Sequence, residues 1–170
     1  MFEIQRPIPA AKPLGAVLAA LAFLISLAGP AGAETQTVQG TGGDLQKMSV
    51  FNQPNAVVAK LYGSDIECGV SRWVDIQMRD RDGTKYTAMG GCYPGDPASG
   101  GGWHKSLERG ATLVKCGFTL KYNTTDGFWR FEVPRSCLAK LGNQIRVVKA
   151  EVVATATPGE AGPTRWLSRG

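Results

Sequence analysis

The sequence has little of what enzymes and metalloproteins commonly use. Its 170 residues include one histidine, His104, and four cysteines that form no Cys-x-x-Cys pair. Zinc sites depend on clustered Cys and His ligands, so the sequence indicates no metal site. A catalytic triad holds an imidazole between a nucleophile and a carboxylate. Ser106 and Asp96 are candidates beside His104 in the chain, but proximity in a Gly-rich loop does not make a triad. No nucleophile-elbow motif is present. We therefore expect a protein that is not an enzyme and has no cofactor.

Clustered positive charge is also missing. The 19 Lys and Arg residues outnumber the 14 Asp and Glu residues, but they are scattered and form no basic run. Nucleic-acid-binding proteins concentrate basic residues in a patch or stripe, so we expect no nucleic-acid partner and only mild affinity for polyanions. The Asp-x-Asp-Gly segment at 80–83 resembles half of a calcium loop, but no Glu follows at the required spacing. A hairpin turn explains the same residues.

Only one long apolar run is present, near the N-terminus. Arg6 and Lys12 precede the apolar residues 14–28, and the small residues 31–33 follow them. This order is typical of a secretory signal peptide, so we expect residues 1–33 to be cleaved off. An uncleaved anchor is the alternative, although a membrane-spanning helix needs about 20 apolar residues. The expected location is secreted, either extracellular or associated with the cell wall, with no membrane contact after cleavage.

All four cysteines lie after this segment. An even number of cysteines in an exported chain indicates disulfides. Four cysteines allow three connectivities, and we expect Cys116–Cys137 together with Cys68–Cys92. The first pair is favoured because a turn at Asp126-Gly127 would bring Cys116 opposite Cys137.

Alternation of apolar and polar residues recurs after residue 43, whereas helical periodicity does not. The segments that indicate strands are 45–51, 56–62, 73–79, a partner beginning at Lys85, 114–122, 128–133, 144–154 and 164–167. About eight short strands separated by turns predict an all-β fold, an antiparallel β-sandwich of immunoglobulin-like or jelly-roll-like type. We expect residues 34–43 to be a flexible N-terminal segment and residues 44–170 to be one domain.

The Asp-Gly pairs at 82–83 and 126–127 are typical of two-residue hairpin turns, because both positions of such a turn need positive φ. Counting outward from them gives a register for each hairpin. The predicted pairs are Lys121 with Glu132, Cys116 with Cys137, and Ile76 with Met89. Pro134 would interrupt the first ladder, because proline has no N–H and is confined to strand ends. The strand is expected to end or bend there, so that the disulfide clips a turn onto the sheet.

The longest segment without a strand pattern is 93–110, which is rich in Gly, Pro and Ser. Loops often carry function, and a tryptophan beside polar groups can stack on a sugar ring or contact a protein partner. We expect binding residues at Trp103, His104, Trp73 and Tyr93. The alternative is that Trp103 closes one end of the domain and binds nothing.

The segment Phe131–Leu138 (FEVPRSCL), with the strand at 145–148 and the terminal residues 164–167, resembles a group of small exported actinobacterial proteins. In that group a signal peptide precedes a β-domain, and a Val-Pro-Arg-Ser-Cys-Leu run follows a second cysteine, here Cys116. The resemblance covers residues 44–166 and implies fold and export, because the group has no assigned activity. The order of strands is also similar to carbohydrate-binding sandwiches of the family 9 and DOMON types, which implies a sugar ligand.

The sequence therefore predicts a secreted, non-catalytic binding module, with a cell-wall or extracellular glycan as the expected ligand. The alternative is a structural or protein-interaction domain, including one with an inhibitor-like role, that has no small-molecule ligand. The expected partner is thus an extracellular glycan or protein.

Overall fold

Antiparallel β-strands make up the regular structure of the chain in a computed structural model, which describes residues 32–63, 72–92, 103–123, 125–153 and 157–170. No helix occurs among these residues, so the all-β prediction is confirmed. The twelve strands are β1 (Glu34–Gly42), β2 (Leu45–Asn52), β3 (Ala56–Gly63), β4 (Arg72–Asp80), β5 (Lys85–Cys92), β6 (Trp103–Arg109), β7 (Thr112–Leu113), β8 (Thr119–Asn123), β9 (Phe128–Pro134), β10 (Gln144–Val153), β11 (Gly159–Ala161) and β12 (Leu167–Ser168).

The strands form one hydrogen-bonded path in the order β7-β6-β5-β4-β10-β11-β1-β2-β3-β9-β8, and β12 pairs with β10. We call the part from β7 to β11 the β4 half and the part from β1 to β8 the β3 half. A single pair, Gly40 with Ala161, joins them through β1 and β11. The structure thus differs from the expectation of two separate sheets with about eight strands, because short strands that the sequence pattern did not reveal extend and connect the sheet.

Both halves contribute one face to a shared apolar core that includes Trp129, Phe131, Ile76 and Leu107. At Gly90 in β5 the halves come so close that a Cβ atom there would lie 2.4 Å from Leu120 Cδ2 of β8. The Lys105 side chain of β6 donates a hydrogen bond to the Phe118 carbonyl. The β5–β6 end of the sheet therefore faces its β8 end across the core.

Residues 34–43, which the composition predicts as a flexible segment, instead form β1 and the start of its turn. β1 pairs with β2 from Glu34 opposite Asn52 to Gly42 opposite Leu45. Val38 is its one large apolar residue, so apolar–polar alternation gives almost no signal for this strand. The strand is held in place by its backbone hydrogen bonds to β2.

The segment 93–110 is not wholly a loop, because its second part forms β6 against β5. Residues 93–102 lie outside the described residues. Among the described side chains of β6 only Leu107 is buried. With one apolar position to mark the inner face, the strand is hard to distinguish from the Gly-rich sequence that precedes it.

The β8–β9 hairpin has a register two residues away from the prediction, with Lys121 opposite Arg130 instead of Glu132. The reason is a longer turn. The Asn123 Oδ1 atom accepts hydrogen bonds from the backbone N–H groups two and three residues further on, at 2.9 and 3.1 Å, and Gly127 has a φ of 61°. Because the side-chain period of a strand is two, this shift leaves each residue on its predicted face.

The β4–β5 hairpin is shifted by one residue, with Ile76 opposite Ala88 instead of Met89. The buried Asp80 carboxylate accepts a hydrogen bond from the Thr84 N–H at 2.8 Å, so the turn is wider than a two-residue Asp-Gly turn. A one-residue shift exchanges the two faces relative to the partner strand. Ala88 therefore lies inside beside Ile76, and Met89 lies on the outer face.

The predicted Cys116–Cys137 disulfide is confirmed, with a Cα–Cα distance of 5.6 Å. Cys116 precedes β8, and Cys137 lies in the turns that follow β9. The bridge therefore clips a turn onto the sheet, as the position of Pro134 indicates. The predicted Cys68–Cys92 bridge falls on residue 68 and on the Cys92 side chain, both outside the described residues.

Residues 1–31 of the predicted signal peptide 1–33 lie outside the described residues, so cleavage and export stay predictions. In the part of the chain that is described, no helix has the length and apolar character needed to cross a membrane.

Candidate functional site

Two of the four predicted binding residues lie in one row of the sheet. Trp73 in β4 is opposite Gly91 in β5, and Gly91 is opposite His104 in β6. Residues paired in this way face the same side of a sheet, and neighbouring strands are about 4.8 Å apart. The Cα atoms of Trp73 and His104 are therefore roughly 10 Å apart, and no side chain separates them on the central strand.

The other two predicted residues are not placed in this row. Trp103 is opposite Cys92, one row further along, and its side chain lies outside the described residues. Tyr93 also lies outside them. The predicted roles of Trp103 and Tyr93 therefore stay predictions, while the register brings Trp73 and His104 together.

The adjacent row on the same face adds residues that sequence reasoning did not select. Asp75 is opposite Met89, and Met89 is opposite Ser106. The signal for Asp75 and Ser106 was available, since they follow Trp73 and His104 at a spacing of two. We call the surface formed by these two rows the Trp73 patch: Trp73, Asp75, Met89, Gly91, His104 and Ser106.

Exposure divides this patch into accessible and covered parts. The His104 side chain is exposed, and those of Trp73, Met89 and Ser106 are half-buried. A half-buried indole presents part of its apolar face while the rest is held by the protein. The patch therefore offers an aromatic surface, an imidazole and a hydroxyl on one side of three adjacent strands.

The Asp75 carboxyl has unusual electrostatics. Its pKa is raised to about 6, first by burial and then by the opposing Glu151 carboxylate on β10, while Lys149 acts to lower it. The Asp75 Oδ1 atom is buried and has no hydrogen-bond partner among the described residues. Near neutral pH this carboxyl can therefore exist in both protonation states.

Beside the patch, Lys149 joins two acidic side chains. Its Nζ atom lies 2.9 Å from Glu151 and 3.0 Å from Glu160, and these hydrogen bonds raise the pKa of Lys149 to about 12. Glu151 is thus held by a cation on one side and faces Asp75 on the other. The carboxylate that raises the pKa of Asp75 is therefore itself paired with a lysine.

The patch does not show the geometry of a known catalytic or metal site. No group of three or more His, Cys, Asp or Glu side chains in the described part of the chain could hold a metal ion. Met89 separates Asp75 from Ser106 within their row.

No family model, curated protein or solved structure matches the chain. The resemblances drawn from the sequence therefore stay predictions, and the geometry of the sheet is the basis for a functional proposal.

Proposed function

We propose that this protein is a secreted, non-catalytic binding module that takes a cell-wall or extracellular glycan on the Trp73 patch. The observation that carries the proposal is the row in which Trp73 and His104 flank Gly91. Glycine within a strand often marks a place where a ligand approaches the backbone. The row therefore has an aromatic side and a polar side, with the buried backbone of Gly91 between them.

Sugar chemistry is complementary to this surface. The apolar C–H face of a pyranose ring packs on an aromatic ring such as that of Trp73, and its hydroxyls need hydrogen-bonding partners at the edges. The exposed His104 imidazole and the half-buried Ser106 hydroxyl lie on the same face as the indole and provide polar groups for such contacts.

Export agrees with the disulfide, because such bonds persist in oxidising compartments outside the cytosol. The N-terminal apolar run with its small-residue site supports the same location. We also propose that the two halves of the sheet act as the two layers of a β-sandwich, joined at one edge through β1 and β11. In that arrangement the outer face of each half is available to a ligand.

The test is binding of the purified protein to a glycan array and to isolated cell-wall polysaccharide. Trp73→Ala should weaken binding at least tenfold, because it removes the aromatic side of the row, and His104→Ala should weaken it several-fold. Trp166→Ala is the matched control, since it removes a similarly half-buried indole near the other end of β10, where Arg146 stacks on it.

An equal loss of glycan affinity in Trp73→Ala and Trp166→Ala would show that the Trp73 patch is not the glycan site. No glycan binding at all, together with capture of a defined protein from culture supernatant, would favour the protein-interaction alternative. Thermal unfolding of each variant establishes that the comparison is made between folded proteins.

A further inference from the structure

Three cations lie side by side on the outer face of the β3 half. Lys60 in β3 is opposite Arg130 in β9, and Arg130 is opposite Lys121 in β8. We call these three residues the basic row. Like charges placed directly opposite each other destabilise a sheet. The basic row therefore lowers the stability of the folded protein.

The protein neutralises only part of this charge. Arg130 forms an ion pair with Glu132 at 2.8 Å. The Lys60 ammonium lies 4.8 Å from the Phe128 ring centroid and 5.7 Å from that of Phe51. These cation–π contacts hold the ammonium in place without removing its charge. The row therefore keeps a net positive potential.

The row also lines a concave surface. Three cations and one carboxylate line a groove of about 580 Å³, which is bordered by Lys60, Lys121, Arg130, Asp126, Tyr122, Asn123 and Phe128. This volume lies within the range of roughly 300–1,000 Å³ that is usual for ligand sites. A groove with three cations along one side is complementary to an anionic ligand.

We infer that the basic row is a second binding site, separate from the Trp73 patch, and that its ligand is an acidic polysaccharide. The row continues across the sheet as hydroxyls: Ser49 is opposite Lys60, and Thr37 is opposite Ser49. Five strands at about 4.8 Å spacing give a path of roughly 19 Å that is cationic at one end and hydroxylated at the other. An extended chain that carries both anionic groups and hydroxyls can use the whole path.

The aromatic side chains argue against a nucleic acid. Proteins that bind single strands stack bases on open aromatic faces. Here Lys60 covers the ring of Phe128, which is only 6% exposed. Lys47 similarly lies 4.6 Å from the Tyr62 ring centroid. These two rings therefore position ammonium groups and are covered by them.

The experiment measures binding to immobilised dextran sulfate and to polygalacturonate, with uncharged dextran as the blank. The two polymers distinguish sulfate from carboxylate as the preferred anion. The wild-type protein should bind at least one of them, and its affinity should fall steeply as salt rises. Replacement of two row residues, Lys60→Gln with Lys121→Gln, should weaken binding at least tenfold.

The matched control removes the same charge elsewhere, with Lys85→Gln and Lys140→Gln, which are both exposed. This control should stay within twofold of the wild type. The row variant should unfold at the same or a higher temperature, because it relieves repulsion. Lys121→Gln alone affects an exposed side chain and should weaken binding about threefold.

Three results would overturn the inference. One is no binding to either acidic polymer. Another is an equal loss of affinity in the row variant and in the control, which would indicate a general charge effect. The third is tighter binding to a mixed-sequence single-stranded DNA than to both polymers, which would identify a nucleic-acid site. None of these results depends on whether the Trp73 patch binds a glycan.

Discussion

The buried amide of Asn52 connects three segments at one end of the sheet. Its Nδ2 group donates hydrogen bonds to the carbonyls of Leu167, at 2.8 Å, and Asn143, at 3.1 Å. Its Oδ1 atom accepts a hydrogen bond from the Arg135 guanidinium. Burial lowers the pKa of Arg135 to about 10, with a further contribution from Arg169. Arg135 of the Val-Pro-Arg-Ser-Cys segment therefore has a structural role here.

Asn52→Ala should lower the free energy of unfolding by about 2–3 kcal/mol, because it leaves several buried polar groups without partners. Urea unfolding measures the change. The control is Asn143→Ala, whose side chain is exposed and whose carbonyl is retained. The control should stay within about 0.5 kcal/mol of the wild type. A loss of similar size in both variants would contradict this role of Asn52.

The Asp75 carboxyl should make stability depend on pH. Its pKa is about 6 in the folded protein and near the ordinary 3.8 in the unfolded chain. Between these values the folded state holds a proton that the unfolded state has released, so stability should fall as pH rises through this range. Asp75→Asn should remove this contribution and be more stable than the wild type above pH 6.

The expected gain is on the order of 1 kcal/mol, reduced from the full shift because solvent screens a half-exposed carboxyl. Thermal unfolding from pH 4 to pH 8 measures it as a difference between variant and wild type. Asp82→Asn, which alters an exposed carboxylate in the neighbouring turn, serves as the control. Parallel pH curves for wild type and Asp75→Asn would rule out the electrostatic account of this residue.

At the scale of strands and hairpins, alternation in the sequence predicts which residues lie inside. Trp129, Phe131 and Val133 are all buried on the face that the pattern indicates. The registers could not be predicted, because they depend on turn hydrogen bonds made by side chains, as at Asn123 and Asp80. An Asp-Gly pair indicates that a turn occurs but does not determine its length.

The candidate sites show a second limit of the sequence. Trp73 and His104 share a row only because β5 lies between their strands. Lys60 is far from Lys121 and Arg130 in the chain, so no basic run reveals the row that the three form. Strand neighbours determine such surfaces, and those neighbours depend on tertiary packing, which local patterns do not contain.

Gly90 tests the packing of β5 against β8. An alanine Cβ there would lie 2.4 Å from Leu120 Cδ2 and 2.5 Å from the His104 carbonyl oxygen. Gly90→Ala should therefore destabilise the protein by about 2 kcal/mol or more, since backbone cannot move aside as a side chain can. Denaturant unfolding provides the measurement.

Gly117→Ala is the matched control, because no atom lies within 4 Å of its added Cβ and its backbone is compatible with alanine. It should be neutral or slightly stabilising. If Gly90→Ala is tolerated as well as Gly117→Ala, β5 and β8 do not pack as closely as described.

At the scale of the whole molecule, the Cys116–Cys137 bridge links the entry to β8 with the turns after β9, across a separation of 21 residues. Replacing both cysteines by alanine should lower the free energy of unfolding by about 3 kcal/mol, because the bridge restricts the conformational entropy of the unfolded chain. Chemical denaturation measures this loss, and Ser136→Ala, an exposed neighbour, is the control. A double variant as stable as the control would mean that the sheet alone maintains the fold.

Each half of the sheet is proposed to carry one ligand surface on its outer face. The most direct measurement is an amide chemical-shift titration of the folded protein with a neutral wall oligosaccharide and, separately, with an acidic oligosaccharide. The neutral ligand is expected to shift amides of β4–β6 around Trp73 and His104, and the acidic ligand those around Lys60, Arg130 and Lys121. Shifts at neither surface, or both ligands acting on one surface, would contradict this assignment.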